Sequence, residues 1–271
     1  MIRLTGNQNP RIKEVRALKN KNAREEMGCY FIEGARFVEE ALKENVRIRY
    51  VMLSEAFYAN PASEGLIGEI AGRKLDCYLL QDSLFAAVSD TQTPQGVLAV
   101  LDMEKKPLEG VAPEGGLLVL LDGVRDPGNM GTIIRTADAA GCSGIIVPAG
   151  NVDVYNPKVL RSTMGSIFHI PVYSCPDTAA AVRIIREKGY KLYVSHLEGA
   201  VSIYEADLRG PVALVIGSEA EGVGVEAVQA ADKLVRIPMD GRAESLNASV
   251  AAGVMIFEAV RQRTLLTKDK S

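Results

Sequence analysis

The residues that could do chemistry gather in three polar segments, each placed directly after an apolar run. These segments are residues 122–131, 217–224 and 239–247. The guanidinium of Arg135, just beyond the first, could hold a phosphate or a developing negative charge. Glycines in the second segment let the backbone approach a ligand closely, and Glu219 could accept hydrogen bonds there. The third leads into a helix with Ser245 as the predicted N-cap, and free amides at helix N-termini bind small polar ligands. Taken singly, these features also fit an exposed arginine, a plain turn and a capped helix.

The second half of the chain has the strands that would position these segments. They are continuous apolar runs without polar alternation, at residues 117–121, 144–147, 191–194, 212–216 and 234–237. Such runs are typical of strands buried on both faces, so we predict a mostly parallel sheet flanked by helices. Ligands bind at the carboxyl ends of the strands in such sheets, which is where the three segments begin. The final helix has an apolar stripe through Val250, Val254, Phe257 and Val260.

The first half of the chain alternates strands with helices and predicts a smaller α/β domain. Residues 5–27 are expected to be helical, with Ile12, Val15 and Leu18 on one face. Residues 104–116 are rich in Lys, Glu, Pro and Gly and have little periodicity, as in a linker. We therefore predict a first domain at 1–103, a linker at 104–116 and a second domain at 117–271.

Composition and charge narrow the function further. The formal net charge of the 271 residues is −3, yet residues 1–24 contain seven Lys or Arg against one acidic residue, Glu14. A basic arm on an acidic body indicates nucleic-acid contact or a solvated helix face.

Four scattered cysteines and two histidines predict neither a metal site nor a disulfide framework. Without an export signal or a long apolar run, we expect a cytoplasmic protein with no membrane partner. A nicotinamide-dependent oxidoreductase is disfavoured because the G-x-G-x-x-G fingerprint is missing.

The spacing within the three segments resembles motifs 1, 2 and 3 of the SpoU/TrmH family of RNA ribose methyltransferases, in the SPOUT superfamily. The matching residues are Asn129-x-Gly131-x-x-x-Arg135, Ile216-Gly217-x-Glu219-x-x-Gly222, and Ile237-Pro238-Met239-x-Gly241 leading to Ser245-Leu246-Asn247-x-Ser249. The first half is similar to the substrate-binding domain common in that family. Its matching residues are Asn9-Pro10-x-Ile12-Lys13, Phe31-x-Glu33-Gly34-x-Arg36 and Thr93-Pro94-Gln95-Gly96.

The resemblance implies a fold and an activity. The fold is a ribosomal-protein-like α/β RNA-binding domain followed by a SPOUT α/β domain with a deep trefoil knot. Two copies are expected to form a homodimer through the knotted domain. The activity is S-adenosylmethionine-dependent methylation of a ribose 2′-hydroxyl, most simply in ribosomal RNA, with no role for DNA because DNA lacks that hydroxyl. The alternatives are a transfer-RNA enzyme, an enzyme that confers antibiotic resistance by modifying ribosomal RNA, and an RNA-binding assembly protein without catalysis.

The resemblance also implies roles for individual residues. Arg135 takes the catalytic role, oriented together with the cofactor and ribose by Asn129, Glu219, Ser245 and Asn247. The cofactor would be held by Ser195, Gly217, Ile237 and Leu246. The candidates for RNA phosphate contacts are Arg11, Lys13, Lys19, Arg36 and Arg161. Since a guanidinium keeps its proton at neutral pH, we expect Arg135 to hold a phosphate and stabilise the forming alkoxide rather than to act as a base.

Overall fold

The computed structural model describes residues 1–113, 115–198, 201–218 and 220–268, with side chains to residue 265. The strands are β1 (Ile2–Leu4), β2 (Cys29–Glu33), β3 (Ile48–Ser54), β4 (Cys77–Leu80), β5 (Val97–Asp102), β6 (Lys106–Pro107), β7 (Leu117–Asp122), β8 (Gly144–Pro148), β9 (Val172–Cys175), β10 (Lys191–Ser195), β11 (Val201–Ser202), β12 (Val212–Gly217) and β13 (Lys233–Arg236). The α-helices are α1 (Pro10–Ala17), α2 (Lys21–Met27), α3 (Ala35–Lys43), α4 (Glu55–Ala59), α5 (Glu64–Gly72), α6 (Asp82–Val88), α7 (Pro127–Ala139), α8 (Pro157–Thr163), α9 (Thr178–Glu187), α10 (Val225–Gln229) and α11 (Ala248–Lys268).

The chain forms two compact units whose boundaries differ from those expected. The first contains Met1–Glu104 and Tyr155–Phe168, and the second runs from Lys105 to Val154 and from His169 onward. The sequence placed 155–168 in the second domain, but Leu160 of that segment is buried in the core of the first unit. The expected linker is also largely part of the second unit. Its strand β6 pairs with β9, and both Leu108 and Val111 are buried in that unit's core.

The first unit is built on a mixed sheet with strand order β1-β4-β3-β5-β2 among the described residues. One face packs against α1 and α6, the other against α3, α5 and α8. The single helix expected over residues 5–27 is wrong, because the structure has α1 and α2 with a break between them. The break follows from Asn20, whose side chain accepts a hydrogen bond from the Asn22 amide and starts a new helix.

The second unit is built on a sheet whose order, within the described part of the chain, is β11-β13-β10-β12-β7-β8-β9-β6. Every neighbouring pair is parallel, which confirms the predicted mostly parallel sheet. Helix α11 packs on α7 and β12. The trefoil knot stays a prediction of the family resemblance.

Helix α11 buries a face different from the apolar stripe noted in the sequence. Ala252, Met255 and Ile256 are buried, whereas Val250 and Phe257 are 52% and 50% exposed. The helix therefore has an apolar surface beyond the one that packs inward. Among the described residues, no helix is both long enough and apolar enough to cross a bilayer.

Candidate active site

Parallel pairing brings the carboxyl ends of four neighbouring strands, β13, β10, β12 and β7, to one edge of the second unit's sheet. Ser195 is the last residue of β10, Gly217 the last of β12, and Ile237 directly follows β13. In the ladders, Ser195 lies beside Val235 and Gly217 beside Asp122. Three of the four residues expected to hold the cofactor thus lie along this edge.

The turn after Gly217 requires a residue without a side chain at that position. The amide of Ser218 donates to the Gly222 carbonyl at 3.1 Å, and the Gly222 amide donates back to the Ser218 carbonyl at 3.0 Å. A Cβ atom added at Gly217 would lie 2.3 Å from the carbonyl carbon of Gly222. The chain therefore folds back over Gly217 as only glycine permits. Glu219, expected to be catalytic, lies outside the described residues.

Asp122, which we did not single out from the sequence, connects the first polar segment, 122–131, to the second, 217–224. Its Oδ2 accepts a hydrogen bond from the Gly224 amide at 2.7 Å, and its Oδ1 accepts one from the Thr178 hydroxyl at 2.7 Å. A second unforeseen residue, Asn151, accepts from the Val124 amide at 2.7 Å and donates to the Leu121 carbonyl at 3.0 Å. An acid placed directly after a buried strand was the available signal for Asp122; nothing in the sequence distinguished Asn151.

The third loop meets the first through two asparagines. The Asn247 Nδ2 donates to Oδ1 of Asn129, in the first turn of α7, at 2.9 Å. Oδ1 of Asn247 accepts from the Ser249 amide at 3.0 Å and so caps α11. The predicted cap, Ser245, is therefore wrong: it is exposed and lies two residues too early, because Asn247 satisfies the helix amides.

Arg135 lies further along α7 and is exposed, and its guanidinium has no hydrogen bond or ion pair with another described residue. It is six positions beyond Asn129, which is about 9 Å along the helix axis and about 120° around it. Asn129 is buried, so the two side chains take different directions. The structure thus brings Asn129 together with Asn247 and leaves the Arg135 guanidinium accessible to a ligand. Leu246 is half-buried beside Asn247 in the third loop.

The candidate RNA-binding residues all belong to the first unit but differ in their surroundings. Arg11 pairs with Glu14 at 2.8 Å and lies over the ring of Tyr50, 4.7 Å from its centroid. The hydrogen bond with Glu14 raises the pKa of Arg11 above its ordinary value.

Two more of these cations bind oxygen atoms of the protein. Lys19 donates to the Ser89 carbonyl at 2.6 Å, and Arg161 pairs with Asp90 at 2.8 Å. Lys13 and Arg36 are exposed, and their side chains have no polar partner among the described residues.

Comparison with known protein families decides which family the chain belongs to. The model of the SpoU rRNA Methylase family matches residues 116–257, and that of the MRM3-like substrate binding domain matches residues 9–99. The chain belongs to the SpoU rRNA methylase family. Both halves of the predicted architecture are confirmed, a SpoU domain after an N-terminal substrate-binding domain.

Relatives of known name cover most of this SpoU chain. The 23S rRNA (guanosine(2553)-2′-O)-methyltransferase RlmP of Bacillus subtilis is 33% identical over 95% of this chain and 98% of its own length. The 23S rRNA (guanosine-2′-O-)-methyltransferase RlmB of Xylella fastidiosa is 43% identical over 59% of this chain and 65% of its own.

Solved SpoU structures match along almost the whole chain. The AdoMet-bound rRNA methyltransferase of Sinorhizobium meliloti has a TM-score of 0.86 and 36% identity, covering 96% of this chain and 97% of that one. AviRb of Streptomyces viridochromogenes in complex with AdoMet has a TM-score of 0.85 and 31% identity, covering 95% and 99%.

Proposed function

We propose that this SpoU protein transfers the methyl group of S-adenosylmethionine to a ribose 2′-hydroxyl of ribosomal RNA. The observation that carries the proposal is the hydrogen bond between Asn129 and Asn247, which joins the first and third motifs beside the carboxyl edge of the parallel sheet. The names of RlmP and RlmB support 23S ribosomal RNA and a guanosine as the finer target. A cytoplasmic location is part of the same proposal.

The cofactor site is proposed at the carboxyl edge of the sheet. Ser195, Gly217 and Ile237 would hold the adenosine there, largely through backbone atoms, with Leu246 contributing from the third loop. When bound, S-adenosylmethionine supplies a methyl group that its sulfonium already activates. The task of these residues is therefore alignment of the reacting atoms and exclusion of water.

Removal of the proton from the ribose 2′-hydroxyl is the harder part of the reaction. We propose that Arg135 makes this step possible through the groups that it holds. Arginine keeps its proton at neutral pH, so its role is to hold the phosphate next to the target ribose and stabilise the forming alkoxide. That phosphate is then placed to accept the proton. Asn129, Ser245, Asn247 and Glu219 are assigned the orientation of cofactor, ribose and Arg135.

RNA phosphates would be held by the five cations of the first unit. Lys13 and Arg36 are exposed without a described partner, so they are the most accessible. Arg11 is expected to contribute least, because Glu14 and Tyr50 already engage its guanidinium. The ribose 2′-hydroxyl distinguishes RNA from DNA, so DNA is not an acceptor.

A homodimer is also part of the proposal. Val250 and Phe257 present apolar surface on the outer face of α11, and a second copy of the same face would cover it. Such an interface would involve the C-terminal helix of the SpoU domain in both copies.

The test is methyl transfer from labelled S-adenosylmethionine to transcribed 23S ribosomal RNA, followed by mapping of the 2′-O-methylated position. Arg135→Lys keeps the charge but not the fork of donors, and we expect turnover to fall about 10²- to 10³-fold. Calorimetry should show unchanged S-adenosylmethionine binding in this variant.

Arg183→Lys is the matched control, since Arg183 is exposed on α9 and should not affect turnover. Normal turnover in Arg135→Lys would refute the role of Arg135. Wild-type protein that binds RNA but neither binds the cofactor nor transfers methyl would instead be an assembly protein.

A further inference from the structure

The turn Ser89–Thr91, which follows α6 in the first unit, is organised by the carboxylate of Glu33. Oε1 of Glu33 accepts hydrogen bonds from the Ser89 hydroxyl at 2.6 Å and from the Thr91 hydroxyl at 2.7 Å. Oε2 accepts from the Asp90 amide at 3.1 Å. One carboxylate thus binds all three residues of the turn, and Ser89 is buried. Hydrogen bonds to a charged acceptor are the strong ones, so Glu33 fixes the conformation of this turn.

Two cations from distant parts of the sequence are tied to consecutive residues of this turn. The Nζ of Lys19, just beyond α1, donates to the Ser89 carbonyl at 2.6 Å. The guanidinium of Arg161, on α8, pairs with the Asp90 carboxylate at 2.8 Å. The ammonium of lysine has three donors and the guanidinium of arginine five, so each keeps donors for a phosphate.

The same loop also reaches the start of α3. Oε1 of Gln95 accepts from the Ala35 amide at 3.3 Å, in the first turn of the helix that carries the exposed Arg36. Lys19 and Arg161 therefore come from separate segments of the sequence but bind consecutive residues of one turn, and Gln95 further along the loop binds the amide that precedes Arg36.

A negative charge among cations meant for phosphate is electrostatically unfavourable for RNA binding. Glu33 lowers the positive potential that attracts the polyanion. Electrostatics alone would therefore predict tighter RNA binding when Glu33 is neutralised.

We propose that Glu33 is a positioning residue for RNA binding, which acts by holding the turn Ser89–Thr91 and, through it, Lys19 and Arg161. This inference rests on the proposed RNA methyltransferase function and deepens it. Neutralising Glu33 should weaken RNA binding, since the loss of two fixed cations outweighs the removal of one repulsive charge. The sign of the effect is thus opposite to the electrostatic expectation.

The experiment compares Glu33→Gln with wild type, using transcribed 23S ribosomal RNA as the probe in filter binding over a series of salt concentrations. The glutamine cannot accept at both oxygen positions, so at least one bond to the turn is lost. We expect the Kd for RNA to rise about tenfold and the salt slope to fall by about one to two, as for the loss of one or two phosphate contacts. In methyl transfer, KM for RNA should rise while kcat at saturating RNA and cofactor affinity stay unchanged.

Two further variants separate positioning from charge and from misfolding. Glu39→Gln, at an exposed position of α3 in the same unit, makes the same charge change and should leave the Kd unchanged or slightly lower. The double variant Ser89→Ala with Thr91→Val keeps the Glu33 charge but removes two of its donors. It should weaken RNA binding in the same direction as Glu33→Gln, with thermal melts showing that each variant is folded.

RNA binding by Glu33→Gln that equals or exceeds the wild type would overturn the inference, as would normal binding by the double variant. If the wild type neither binds nor methylates 23S ribosomal RNA, the proposed function itself is wrong and the role of Glu33 falls with it. The two failures are therefore distinguishable in one data set.

Discussion

Among single residues, Gly217 has no room for a side chain. A Cβ atom there would lie 2.3 Å and 2.4 Å from the carbonyl carbon and oxygen of Gly222, which are backbone atoms and cannot rotate away. We expect Gly217→Ala to force open the turn between Ser218 and Gly222 and to weaken S-adenosylmethionine binding by about 5- to 150-fold, because overpacking typically costs about 1–3 kcal/mol. Calorimetry measures this directly. Gly68→Ala is the control: it lies in α5 with nothing within 4 Å of the added atom and should stabilise the protein by about 0.5–1 kcal/mol without affecting the cofactor. Normal cofactor binding by Gly217→Ala would remove this turn from the site.

At the scale of elements, side chains at the end of α11 form hydrogen bonds with the backbone of the segment 206–210. Oε1 of Gln262 accepts from the Leu208 amide, and its Nε2 donates to the Ala206 carbonyl, both at 2.9 Å. We expect Gln262→Ala to lower the free energy of unfolding by about 2 kcal/mol, because it leaves a partly buried amide and carbonyl unpaired. Urea denaturation measures the change, and Gln229→Ala, at an exposed position of α10, should be close to neutral. Equal stability of the two variants would mean that water replaces the lost bonds at the end of α11.

The sequence predicted best those elements whose own apolar residues indicate that they are buried. Strands β7, β8, β10 and β12 are continuous apolar runs without polar alternation, so their position and parallel pairing followed from the sequence pattern. Strands β6 and β11 are two residues long and too short for any pattern to predict. The break between α1 and α2 was hidden because Leu18, beyond the end of α1, continues its buried face.

The candidate site was predictable where it depends on the parallel strands, but not where it depends on contacts between residues far apart in the sequence. The convergence of three loops followed from parallel strands, which place their carboxyl ends together. The pairing of Asn129 with Asn247, however, joins residues 118 positions apart, and nothing local to either one signals it. Likewise, the apolar residues of 155–168 indicate burial without indicating which unit's core receives them, so the burial of Leu160 in the core of the first unit was not predicted.

At the scale of the whole molecule, the outer face of α11 is an apolar surface that a single copy leaves exposed to water. Phe257 is 50% exposed there, and a two-fold dimer would bury this ring in both copies, at roughly 2 kcal/mol for each copy. We expect the wild type to elute with twice the 29.2 kDa mass of the chain and Phe257→Glu to elute with that mass itself, as measured by light scattering. A dissociation constant raised about a thousandfold follows from the loss of both rings. Tyr58→Glu, at a 47% exposed aromatic residue of the first unit, should leave the mass unchanged. A dimer that persists in Phe257→Glu would place the interface on another surface, whereas a monomeric wild type would mean that α11 keeps this apolar face in water.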